Sequence, residues 1–157
     1  MEMREVCYTM EAALEKAIEM EAKSFDYYRN AYLRVKDRVA KDVLKELALE
    51  ELDHKYRLEK AFFEESVSLH ESGSATGPSM NLTLMLEERP LDSNSTDQDV
   101  MIHAIHEEKR AVDFYGKMAE QCGGAPLEKM YRTLAAEEQD HLTRLEEIYE
   151  KHYLQEM

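Results

Sequence analysis

Turn-forming residues are scarce in this chain of 157 residues: it has 5 glycines and 3 prolines. So few turns exclude an all-β architecture of many short strands and favour long helices. Cysteine is nearly absent, with Cys7 and Cys122 alone and no CxxC pair. That removes zinc ribbons, rubredoxin-type iron centres and thioredoxin-type motifs, and a chain of this size needs no disulfide to be stable. A reducing, cytoplasmic setting is the expectation. No apolar run reaches the length of a membrane span, and the opening MEMREVCYTM lacks the apolar stretch of a signal peptide. Basic residues are also in deficit, 20 against 34 acidic ones, for a formal net charge of −14. Such a surface argues against nucleic acid and anionic membranes as partners, and serves solubility or the attraction of cations.

What the chain does contain is a copy of itself. Residues 17–59 align without gaps on 104–146 at a constant offset of 87, with fourteen identities in forty-three positions. AIEMEAKSFDYY lies over AIHEEKRAVDFY, and LALEELDHKYRLE over LAAEEQDHLTRLE. Each copy reads as a helical hairpin. Gly123-Gly124-Ala125-Pro126 separates the helices of the second copy, with Gly suited to a C-terminal cap and Pro to a first helical turn. In the first copy Asp37 is placed to cap the following helix. Thr96-Asp97-Gln98-Asp99 reads as a capping box that opens the third helix.

Hairpin one spans about residues 4–65 and hairpin two about 97–153, within a single domain covering 1–157. Between them, 66–95 has loop composition (SGSATGPS, LDSNST), with a short extra helix expected within 80–88. Thirty residues exceed a tight turn and suffice to cross the length of a bundle. The expected fold is therefore all-α: a four-helix bundle of two repeated hairpins joined by one long crossover.

Each predicted helix carries an apolar stripe spaced four and three, and the same anomaly interrupts all four. Glu21 sits in the stripe Leu14, Ile18, Phe25, Tyr28, and Glu108 in Met101, Ile105, Val112, Tyr115. On the second and fourth helices the anomaly is a Glu-x-x-His pair, Glu51 with His54 and Glu138 with His141. Residues three apart share a helix face, so each pair turns inward together. One ExxH in a Glu-rich chain carries little weight, but two copies in register with a repeat, joined by two matching Glu, carry much more. Four carboxylates without partners would cost several kcal/mol each, on the order expected for buried charges. Two divalent cations bring +4 against −4 and make such a core tolerable. Oxygen-rich ligands with some imidazole suit iron or manganese, with zinc an adventitious occupant.

Tyr28 and Tyr115 follow Glu21 and Glu108 by two turns on the same face, where their hydroxyls can donate to carboxylates across the core or simply fill it. Asp53 and Asp140 precede the histidines, and Asp26 and Asp113 also repeat; they are placed to orient imidazoles or carboxylates, but surface salt bridges are the favoured reading. His70, His103, His106 and His152 match no stripe and are expected to face solvent.

These residues resemble the rubrerythrin branch of the ferritin-like superfamily. The likeness covers roughly 10–65 and 97–153 and rests on AIxxE…Y twice and EExxH twice (Glu50 to His54, Glu137 to His141). It implies a ferritin-like bundle with metal ligands Glu21, Glu51, His54, Glu108, Glu138 and His141. Glu51 and Glu138 would bridge two irons, and Tyr28 and Tyr115 would tune the carboxylates. It implies a non-haem diiron oxidoreductase acting on hydrogen peroxide or O2, and a homodimer. No rubredoxin-like four-cysteine segment is present, so electrons are expected from an external donor protein. The family's further Glu, one turn after the third-helix ligand, is here Ala111, and the matching first-helix position is Ser24. Two rivals stand beside this reading: iron oxidation for storage or delivery, and a bundle whose metals only stabilise the fold.

Overall fold

The computed structural model describes residues 2–64 and 80–154. Five α-helices account for most of them: α1 (Glu2–Tyr8), α2 (Met10–Arg34), α3 (Arg38–Glu64), α4 (Asp97–Gln121) and α5 (Glu128–Tyr149). No strand occurs among the described residues. The fold is the expected all-α ferritin-like bundle, with α2 packed on α3 and α4 on α5 as two hairpins.

The helix ends follow local chemistry. Asp37 Oδ2 accepts from Ala40 N at 3.0 Å and opens α3. Thr96 and Asp99 close a reciprocal capping box at the start of α4, with bonds of 2.9 and 3.1 Å. Asp97 extends this end sideways: its carboxylate accepts from Lys36 N and Asp37 N, tying the first hairpin's turn to the second hairpin. At the other turn Gly124 takes φ +81°, a left-handed conformation that glycine adopts without strain. Pro126 falls just ahead of α5 instead of inside its first turn.

The apolar core lies in two parts. One gathers the C-terminal half of α2 (Tyr28, Ala31), the start of α3 (Leu44, Leu47), the start of α4 (Met101, Ile105) and the end of α5 (Leu142, Leu145). The other gathers the start of α2 (Leu14, Ala17), the end of α3 (Leu58, Ala61), the end of α4 (Tyr115, Ala119) and the start of α5 (Tyr131, Leu134). The helix halves that share each cluster make α3 and α4 run in the same direction, so the end of α3 and the start of α4 lie at opposite ends of the bundle, as the expected long crossover requires. Residues 65–79 of that crossover lie outside the described residues, and with them His70. The rest holds a single 3-10 turn, Leu82–Leu84, where a short helix was expected. Buried Glu146 fastens it, accepting from Met80 N and Leu82 N at 3.3 and 3.0 Å.

Three features depart from the sequence reading. The first hairpin is not one continuous helix at its start: α1 breaks from α2 at Thr9. Cys7 and Cys122 are joined in a buried disulfide, against the expectation that the chain needs none. Together with the bonds Leu127 N to Cys7 O and Tyr131 OH to Val6 O, that link fixes α1 on the α4–α5 turn. His103 and His106 do not face open solvent. His106 Nε2 lies 2.7 Å from Leu86 O and His103 Nε2 3.3 Å from Glu88 Oε2, so both hold the crossover against α4, while His103 also stacks on Tyr27 of α2 with Nδ1 3.0 Å from its hydroxyl.

Candidate metal centre

Between the two apolar clusters lies a polar layer. Glu21, Glu51, His54, Glu108, Glu138 and His141 are all buried, Glu51 with no accessible surface at all. They form two overlapping groups whose ligand atoms lie within 4.8 Å of one another: Glu21, Glu51, His54 and Glu138, and Glu51, Glu108, Glu138 and His141. Glu51 and Glu138 belong to both, placed between the two halves. The imidazoles face each other almost in parallel, centroids 5.7 Å apart and planes 6° apart.

The histidines turn Nδ1 inward. His141 Nδ1 lies 2.8 Å from Glu51 Oε1, 3.4 Å from Glu138 Oε2 and 3.5 Å from Glu108 Oε1. His54 Nδ1 lies 3.7 Å from Glu21 Oε2. The tyrosines reach across the core: Tyr28 OH donates to Glu108 Oε2, and Tyr115 OH to Glu21 Oε1 at 3.2 Å. Each tyrosine therefore serves the carboxylate of the opposite hairpin.

Without a cation this arrangement is electrostatically unfavourable. Burial pushes the Glu51 carboxyl up to about 8, reinforced by Glu21. Burial first, then the neighbouring carboxylate (Glu138 for Glu21, Glu108 for Glu138), raises the other two. For His54, burial alone would lower the imidazole, but Glu137, Glu21 and Glu51 outweigh it and hold it at about 11. His141 rises against its own burial, through Glu108, Glu138, Glu50 and Glu51. Protein hydrogen bonds do not satisfy the layer: despite their short separations, Glu21 Oε2, both oxygens of Glu51 and Glu138, Glu108 Oε1 and the Nδ1 atoms of both histidines make no aligned hydrogen bond, and neither do the oxygens of Glu137 behind His54. Buried polar atoms are rarely left so, and eight converging oxygen and nitrogen atoms match the donor set of two hard or borderline divalent cations.

The sequence reading missed the outer partners of the imidazoles. His54 Nε2 lies 2.8 Å from Glu137 Oε2, and His141 Nε2 lies 2.8 Å from Glu50 Oε2. Each histidine is thus backed by the first Glu of the other hairpin's EExxH. The signal was present in the doubled Glu of both copies, but the exchange between hairpins depends on the fold. Of the repeated aspartates, Asp53 pairs with Arg57 at 2.8 Å and Asp113 with Lys109 at 2.7 Å, each on its own helix. Ala111 is buried and brings no further carboxylate to the layer.

A family model described as Rubrerythrin matches residues 12–149. No curated protein and no solved structure matches the chain.

Proposed function

The chain belongs to the rubrerythrin family, and from that premise we propose that it is a non-haem diiron oxidoreductase that reduces hydrogen peroxide or O2 with electrons from a separate donor protein. One observation carries the proposal: the eight partnerless ligand atoms converging around Glu51 and Glu138 in a core that is otherwise apolar. Glu21 with His54 would hold one ion, Glu108 with His141 the other, and Glu51 and Glu138 would span both. Iron fits this oxygen-rich set, manganese fits it too, and zinc would be an adventitious occupant. Bound as Fe(II), the pair supplies two electrons, which with two protons take one hydrogen peroxide to two waters.

The residues of the chain supply the rest. Tyr28 and Tyr115 fix the orientation of Glu108 and Glu21 and lower the cost of turning two charges inward. Glu50 and Glu137 orient the imidazoles so that Nδ1 faces the cage. Leu44, Leu58, Leu134 and Leu145, all without accessible surface, restrict water on both sides of the layer.

Iron handling, meaning oxidation of Fe(II) for storage or delivery, is the second reading. The observation in its favour is Ala111, which stands where the resemblance expects a Glu that moves with redox state and leaves both halves the same ligand set. A homodimer and a cytoplasmic location complete the proposal. No helix among the described residues is long and apolar enough to cross a membrane. The Cys7–Cys122 bond bears on location, because such bonds are uncommon in a reducing cytosol. Rapid alkylation of the protein from freshly lysed cells would find it intact or find two thiols.

The deciding experiment is anaerobic loading with Fe(II), a metal count, and separate exposure to peroxide and to O2 with a chemical reductant. Two ions per chain and sustained peroxide consumption support the oxidoreductase. A single stoichiometric oxidation followed by iron release or mineral growth supports iron handling. Inert bound metal would refute both.

A further inference from the structure

The 87-residue repeat makes the inside of the cage symmetric, and so isolates what is not symmetric. Glu21 matches Glu108, Glu51 matches Glu138, His54 matches His141, Tyr28 matches Tyr115, and the backing residues Glu50 and Glu137 match each other. The surroundings of those two backing carboxylates differ. Glu137 is buried and lies against His54. The Glu50 side chain is 38% exposed and is shared, with Oε2 meeting His141 Nε2 on one side and Arg144 Nη2 on the other.

The origin of the difference can be read position by position. Arg144 and Arg57 are repeat counterparts. Arg144 reaches from α5 to α3 and spans Glu46 and Glu50, with Nη1 3.1 Å from Glu46 Oε1. The position matching Glu46 is Thr133, whose hydroxyl donates to Lys129 O on its own helix. Arg57 Nε donates to Asp53 on its own helix. Glu46 thus gives Arg144 a second carboxylate across the hairpins, at a position where the other copy has the neutral Thr133.

We infer that the two halves of the cage bind metal with unequal strength, the Glu21–His54 half more tightly, because Arg144 draws on the carboxylate that backs His141. A carboxylate behind an imidazole strengthens its other nitrogen as a donor. Glu137 applies that effect from a buried position, where charge is poorly screened. Glu50 divides its charge between His141 and a guanidinium and stands half in water, so its effect on His141 is smaller. Arg144 also places a fixed positive charge behind the second ion's position. Both effects have the same sign. The inference rests on the dimetal reading of the cage.

The test is anaerobic calorimetric titration of the metal-free full chain with Fe(II), and of the variants E137Q, E50Q, R144Q and E46Q, with far-UV circular dichroism confirming each fold. The unaltered chain is expected to bind two ions in resolved steps about 10-fold or more apart, the scale of outer-partner effects on metal affinity. E137Q should weaken the tight step by about 10- to 100-fold and E50Q the weak step. R144Q should tighten the weak step and bring the two together, whereas E46Q, which leaves Arg144 to Glu50 alone, should drive them further apart. Opposite signs from two surface changes would not arise from general loosening of the fold. Two indistinguishable steps in the unaltered chain would overturn the inference and leave the cage standing, as would loss of the weak step alone in E137Q. Absence of any core binding would overturn the cage itself.

Discussion

The two hairpins agree inside the bundle and diverge outside it. Facing the cage, every side chain has its counterpart: carboxylate for carboxylate, imidazole for imidazole, and a tyrosine from each hairpin serving the other's Glu. One turn further out the match fails. Glu146 is buried beneath the crossover and accepts two backbone N–H groups, while its counterpart Glu59 lies on the surface against Lys55. Cys122 is bonded to Cys7, while its counterpart Val35 is an apolar core residue. Chemistry that needs a fixed geometry held the inner positions together. The outer ones adapted to a crossover and to α1, each of which occurs on one side.

The largest expected effect breaks the shared inner set. Replacing both central carboxylates, as E51Q with E138Q, should weaken metal binding by more than about 100-fold in both halves, beyond the range of outer-partner changes. Metal analysis after gel filtration measures this. The same double variant, metal-free, should be more stable than the parent, since two buried carboxyls with raised pKa are gone.

Next in size is the disulfide. Reducing the Cys7–Cys122 link, which spans a sequence separation of 115, should destabilise the fold by about 5 kcal/mol on chain-entropy grounds. Denaturant unfolding of C7S with C122S against the oxidised parent measures it. Metal stoichiometry should not change, because the bond joins α1 to the bundle and touches no ligand.

The tyrosines sharpen the symmetry. Y28F and Y115F should each cost about 1.5–3 kcal/mol in the loaded protein, the range for hydrogen bonds to charged groups. Near-equal losses are the expected result, and a marked difference between the two would show that the inner symmetry is only apparent.

The pH dependence has a definite sign. The Glu51 carboxyl is raised from 4.5 to about 8, and the His54 imidazole from 6.5 to about 11. Both groups therefore bind more protons folded than unfolded within those windows. Folding stability falls with rising pH where the folded state holds the extra protons. The metal-free chain should lose thermal stability steadily from about pH 5 to pH 9. Loading should flatten or reverse the slope, because metal replaces those protons. Parallel melting curves with and without metal make the comparison.

Much of this was legible in the sequence because period and repeat both constrain it. Stripes at four-and-three spacing gave the helices, and the offset of 87 showed that Glu21 and Glu108, and Glu51 and Glu138, occupy like positions. Asp37 and Thr96 announced their caps by residue type alone. What escaped required the third dimension. The local signal that divides α1 from α2 is weak, a single Thr9 at the N-cap of α2 whose side chain makes no capping bond, with neither Gly nor Pro beside it. Cys7 and Cys122 are too far apart in sequence to suggest each other. Glu50 and Glu137 open the two EExxH copies with no role assigned from the sequence, and only the crossing of the hairpins sets each behind the opposite imidazole. His103 and His106 lack a stripe position because what they hold is the crossover.

The central claim is that six inward side chains exist to enclose two cations. Anomalous X-ray scattering at the iron edge, from crystals loaded anaerobically with Fe(II), addresses it most directly. The account expects two peaks in the bundle core, each beside one imidazole Nδ1, with Glu51 and Glu138 reaching both. A core without any peak, with iron only on surface carboxylates, would contradict it.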